Sequence, residues 1–70
     1  MEMYLAHDKN ETAVLGWSFA SPDDAIECAI ESGDYGNLTV TEIIVPDNAT
    51  EDDFISCAEI SEYEKVAKSL

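Results

Sequence analysis

The stretch Ser21-Pro22-Asp23-Asp24-Ala25-Ile26-Glu27-Cys28-Ala29-Ile30-Glu31-Ser32-Gly33 decides how this chain folds. Ser21 supplies a side-chain oxygen for the free amides of a helix start. Pro22 fills the first helical position, where its missing N–H costs nothing, and Asp23 and Asp24 occupy the positively polarised first turn. Gly33 is the stop signal. At 100° per residue, Pro22, Ala25, Ile26, Ala29, Ile30 and Gly33 fall on one face of the helix, and Asp23, Asp24, Glu27, Glu31 and Asp34 on the opposite face. One side is built to pack and the other is all carboxylate.

The flanking segments read as β-structure. Met3 to His7 and Thr12 to Phe19 are rich in strand formers, and the polar connection Asp8-Lys9-Asn10-Glu11 joins them as a hairpin, with Gly16 as a bulge signal. Leu38 to Val45 is a third strand, ended by Pro46. Leu38, Val40, Glu42 and Ile44 lie on one side of it and Thr39, Thr41, Ile43 and Val45 on the other. Phe54 to Leu70 admits either one long helix or a strand and a short helix. Ser61-Glu62-Tyr63-Glu64 has capping-box form, with Ile60, Tyr63, Val66 or Ala67, and Leu70 at helical spacing, which starts the helix at Ser61 and leaves Phe54 to Ile60 as a fourth strand. The expected fold is α+β: a small antiparallel sheet of about four strands, covered on one face by the Pro22–Ser32 helix, with a short C-terminal helix.

Seventy residues form a single domain, 1–70, that buries only about 60% of the surface its unfolded chain exposes, so its stability is marginal. Sixteen acids face three basic residues, for a net charge of −13. Between Lys9 and Lys65 there is no basic residue, and that interval holds all the acids except Glu2 and Asp8. Such a surface repels nucleic acid and anionic membrane and attracts a groove lined with Lys and Arg. No apolar run approaches the roughly 18 residues that span a bilayer, and Met1-Glu2-Met3-Tyr4 has no signal-peptide character, so a cytoplasmic protein is expected.

Signals for catalysis and metal binding are weak. His7 is the only histidine, it lies in a strand, and nothing in sequence marks a Ser or Cys partner for it. Cys28 and Cys57 have no basic neighbour to activate a thiol; they read as buried apolar side chains, or as one disulfide in an oxidising compartment. Asp47-Asn48-Ala49-Thr50-Glu51-Asp52-Asp53 lacks the register of a calcium-binding loop, and Thr50 with Asp53 reads instead as a cap. No metal, cofactor or enzymatic activity is expected.

The binding candidates are the carboxylates. Asp23, Glu27 and Glu31 repeat every fourth residue, about 6 Å apart along the axis, a spacing comparable with successive phosphates on a nucleic-acid strand. Like charges four apart destabilise a helix by a few tenths of a kcal/mol per pair, and an ordinary solvated face intersperses Lys and Arg. With Asp24 and Asp34 on the helix and Asp47, Glu51, Asp52 and Asp53 in the later block, these residues form the expected partner-binding set.

In size, charge and the placement of Asp23, Glu27, Glu31, Asp34, Asp47, Glu51, Asp52 and Asp53, the chain resembles the small acidic phage-encoded inhibitors that mimic nucleic acid, the anti-CRISPR and anti-restriction proteins. The resemblance is of type rather than of motif. It implies stoichiometric binding in the basic DNA- or RNA-binding groove of a defence complex such as a CRISPR effector, with no turnover and no direct nucleic-acid binding. Two alternatives stand beside it: an acidic protein-interaction module without mimicry, and a halophile surface kept acidic for solubility, against which stand six isoleucines and the lack of Arg.

Overall fold

Asp8 turns the chain at the first hairpin, where its carbonyl accepts from Glu11 N at 3.0 Å and its carboxylate from Asn10 N at 2.9 Å. The computed structural model describes residues 1–33 and 36–70; Asp34 of the expected acidic set lies outside them. The elements in chain order are β1 (Glu2–Asp8), β2 (Val14–Ser18), α1 (Pro22–Ser32), β3 (Leu38–Ile44), a 3-10 turn (Glu51–Phe54) and α2 (Ile60–Ser69). The strands form one antiparallel sheet in the order β2-β1-β3.

As the central strand, β1 is apolar toward both faces. Met3 and Leu5 point to one side and Ala6 to the other, all fully buried. On the first side Met3, Leu5, Ile43, Val45, Ala49, Phe54, Tyr63 and Ala67 form the larger core, with the 3-10 turn and α2 as its cover. On the second side Ala6 meets Ala25 and Ala29 of α1, with Tyr4, Leu15, Ile26, Leu38 and Val40 around them. The sheet is therefore covered on both faces, not on the single face expected from the sequence. The α+β class, the hairpin, α1 and β3 stand where the sequence puts them.

The bulge falls beside Gly16: Ala6 pairs with Gly16 but His7 with Val14, so Leu15 is the extra residue. Gly16 also lets α1 approach the sheet closely. A Cβ at Gly16 would lie 2.4 Å from Ala29 N and 2.7 Å from Ala25 O. This approach narrows the packed stripe of α1 to Ala25, Ala29 and the half-buried Ile26, and leaves Pro22 exposed and Ile30 53% exposed, contrary to the wider face read from periodicity.

The fourth strand is not formed. Thr50 and Asp53 make a reciprocal cap, Thr50 N donating to Asp53 Oδ2 at 2.8 Å, which winds Glu51–Phe54 into a 3-10 turn and drives Phe54 into the core. What remains of the strand is one bridge between Ala13 and Glu59 at the edge of β2, with Val14 N donating to Ala58 O at 2.8 Å and Ile60 N to Thr12 O at 3.0 Å. The C-terminal helix also starts earlier than Ser61. Glu59 is its N-cap residue, with Glu62 Oε1 accepting from Glu59 N at 3.2 Å, so the box is Glu59/Glu62 rather than Ser61/Glu64.

Candidate functional site

Ser21 Oγ accepts from Asp24 N at 3.1 Å, fixing the start of α1 and with it the direction of every carboxylate on the helix. Asp23, Asp24, Glu27 and Glu31 are all exposed, on the face turned away from Ala25 and Ala29. Asp23 and Asp24 complement the amides of the first turn. Glu31 does the opposite: it lies in the last turn, where the carbonyls are unpaired and no basic residue is present, one turn beyond Glu27. The helix thus carries at its negative end a charge that its own stability disfavours.

The later acids divide by what they touch. Asp47 Oδ1 is 3.0 Å from the Met1 ammonium, an exposed pair and the one ion pair among the described residues. Asp53 is spent on the Thr50 cap. Glu51 and Asp52 are exposed and, among the described residues, their side chains have no hydrogen-bond partner. The structure thus separates Asp47 and Asp53, whose contacts are structural, from Glu51 and Asp52, which are open to a ligand.

Glu51 is brought to α1 by the edge of β2. Trp17, Ser18, Phe19 and Ala20 floor an open groove of about 430 Å³, with Cys28 of α1 on one wall and Glu51 on the other. Asp24 and Glu31 sit one turn before and after Cys28 on that flank of the helix. Trp17 and Phe19 are half-buried, edge to face with ring centroids 5.3 Å apart, and Phe19 continues edge to face onto buried Phe54. The result is an aromatic floor backed by the core and bordered by carboxylates. Strand alternation shows Trp17 and Phe19 on one side of the chain, but that side borders the groove only because β2 ends the sheet, which the sequence does not state.

The residues weighed for catalysis are held otherwise. His7 is buried; its Nδ1 donates to the carbonyls of Asp8 and Glu11, both at 2.8 Å, and its Nε2 is 2.8 Å from Thr41 Oγ1. It pins the hairpin turn to β3. Burial and then the nearby Glu62 carboxylate raise the Cys57 thiol, which holds it protonated against the main core. Cys28 is exposed, contrary to the expectation of two buried thiols, and both cysteines are free. Among the described residues no three His, Cys, Asp or Glu side chains converge as metal ligands. No helix among them is long and apolar enough to cross a membrane.

No protein family, curated protein or solved structure matches the chain.

With a net charge of −13 and a single ion pair among the described residues, the fold works against its own field. Raising salt from about 0.01 M to about 0.15 M shortens the Debye length from about 30 Å to about 8 Å, so the thermal midpoint is expected to rise over that range. Calorimetry in sodium chloride measures it. A chain unfolded at 0.15 M that folds only in molar salt is the halophile result.

Proposed function

We propose that the protein is an acidic inhibitor, of the anti-CRISPR or anti-restriction kind, that occupies the basic DNA- or RNA-binding surface of a defence complex in the host cytoplasm. The observation that carries this reading is the α1 ladder. Asp23, Glu27 and Glu31 stand one turn apart, exposed, on a helix pressed rigidly onto the sheet through Gly16, Ala25 and Ala29, and Glu31 stays there at a cost to the helix. Lys and Arg that normally hold a phosphate backbone pair instead with these carboxylates, joined by Asp24, Glu51 and Asp52. Asp47 and Asp53 serve mainly to hold the loop that carries them. Binding is stoichiometric and needs no cofactor and no turnover.

Two physical consequences distinguish such a ligand. Association is fast and weakens as salt rises, as for the nucleic acid it replaces. The half-buried Trp17 and Phe19 add an apolar anchor beside the charges, which a phosphate backbone lacks and which favours a slow release.

The experiment is capture of a nucleic-acid-binding complex from host lysate, followed by a mobility-shift competition with its own DNA or RNA. The expected result is mutual exclusion. A ternary complex formed with no loss of affinity overturns mimicry and leaves an acidic interaction module that binds elsewhere on its partner.

A further inference from the structure

The sheet has two edges, and only one is guarded. At β2 the ladder is broken by the bulge at Leu15, and the strand entry is bridged by Glu59. At β3 the pairing with β1 runs unbroken from Glu2 opposite Ile44 to Asp8 opposite Leu38, and Leu-Thr-Val-Thr-Glu-Ile-Ile contains no Pro, no Lys and no bulge. These are the devices that ordinarily stop an edge from pairing. Among the described residues nothing pairs the outer side of β3.

The backbone direction along that edge is fixed by the ladder. Val45 N donates to Met1 O and Lys9 N to Asn37 O, each at 2.8 Å, so the odd-numbered residues bond inward to β1 and Leu38, Val40, Glu42 and Ile44 present their N–H and C=O outward. Ile44 is 72% exposed on the same edge. Beside it a groove of about 310 Å³ runs between Glu42, Ile43 and Ile44 of β3 and Glu64, Ala67 and Lys68 of α2.

We propose that β3 pairs antiparallel with β3 of a second copy of this chain, about a two-fold axis at Thr41. The strand is self-complementary in that register. Leu38 faces the second copy's Ile44 and Val40 its Glu42, so each outward N–H meets an outward carbonyl, and Thr41 faces Thr41 at the non-hydrogen-bonded position on the axis. Exposed Ile44 gains an apolar neighbour. The strand's one acid lies opposite a valine, whereas a register two residues further sets Glu42 against Glu42. The α1 carboxylates stay outside the contact, while Lys68 stands at its border. A strand from an unrelated protein offers the same backbone, but the facing of Leu38 with exposed Ile44 at both ends and of Thr41 with Thr41 on the axis belongs to a copy of β3.

The two-fold axis is perpendicular to the sheet, so both copies of α1 lie on one face. Since α1 sits over β2 and β1, its two copies stand about four strand spacings, on the order of 19 Å, apart. Resting on the function proposed above, this puts two carboxylate-bearing helices on one face, at a separation on the scale of the two backbones of a duplex.

Sedimentation velocity from micromolar to millimolar chain tests the pairing without any partner. The expected result is a particle of twice the 7.7 kDa chain, formed more tightly as salt rises from about 0.05 M to about 0.5 M because two like-charged bodies are being joined. Inhibitor binding weakens with salt, so the two ideas fail separately. Glu42→Pro removes an outward N–H and none of the bonds to β1, and is expected to weaken association at least about tenfold while leaving circular dichroism unchanged. Thr41→Cys in a Cys28→Ser/Cys57→Ser background gives up the Thr41 Oγ1 contact to His7 Nε2, so circular dichroism accompanies it; the folded variant is expected to form a disulfide dimer under mild oxidation, which decides the matter even if Glu42→Pro does not fold. A monomer at all concentrations, a dimer indifferent to Glu42→Pro, a dimer in which Thr41→Cys does not cross-link, or a monomer whose β3 takes up only a foreign strand overturns the proposal.

Discussion

Gly16→Ala is expected to destabilise the domain by about 3 kcal/mol or more, because the added methyl would sit 2.4 Å from Ala29 N and 2.9 Å from Ala29 Cα, both backbone atoms that no rotamer change can move aside. To admit it, α1 must lift from β2 and pull Ala25 and Ala29 away from Ala6. Stability for a chain of this length is on the order of 3–10 kcal/mol, so much of the population unfolds. Gly36→Ala is the matched control. A Cβ there meets nothing within 4 Å, and no glycine among the described residues has positive φ, so that change is expected to be neutral or stabilising by about 0.5 kcal/mol. Urea titration of both variants reads the contrast; equal midpoints would show that α1 does not rest on Gly16.

Phe54→Ala is the second large effect, at about 3–5 kcal/mol. Phe54 is 2% exposed, stacked on Tyr63 with centroids 5.6 Å apart and edge to face with Phe19, so its loss opens the contact between the 3-10 turn, α2 and the groove floor. The thermal midpoint is expected to fall by about 15 °C or more. Ile55→Ala, one residue on and 82% exposed, is expected to change stability by no more than about 0.5 kcal/mol. If the next-door change cost as much, Ile55 would be packed beside Phe54, contrary to its exposure at the end of the 3-10 turn.

That pair of residues also marks where the sequence was legible and where it was not. The α1 boundaries follow from Ser21, Pro22 and Gly33 because each acts on backbone within a few residues of itself. Leu38–Ile44 follows from β-branching and Pro46. The segment after Phe54 departs from its sequence pattern because two capping boxes compete there, and Glu59/Glu62 prevails over Ser61/Glu64 once Val14 and Thr12 bind the backbone of Ala58 and Ile60, a contact between distant parts of the chain. For the same reason the acid pattern on α1 was visible, while the groove between Cys28 and Glu51 was not. The first depends on helical period alone; the second depends on β2 being an edge strand.

Whether spaced carboxylates or bulk charge does the binding is settled by a matched reversal measured in the competition assay. Glu27→Lys/Glu31→Lys and Glu2→Lys/Glu11→Lys each add two charges per site and take the net charge from −13 to −9, so they differ only in place. Glu2 and Glu11 are exposed, and among the described residues their side chains make no hydrogen bond that reversal would remove. Reversal on α1 relieves like-charge repulsion and suits the helix C-terminus, so circular dichroism is expected to show α1 intact. Inhibition by the α1 variant is expected to be lost, by at least about a hundredfold in the inhibitor concentration required, while the control only slows association. Equal loss in the two variants, with both folded, would show that the net field and not the α1 ladder recognises the partner.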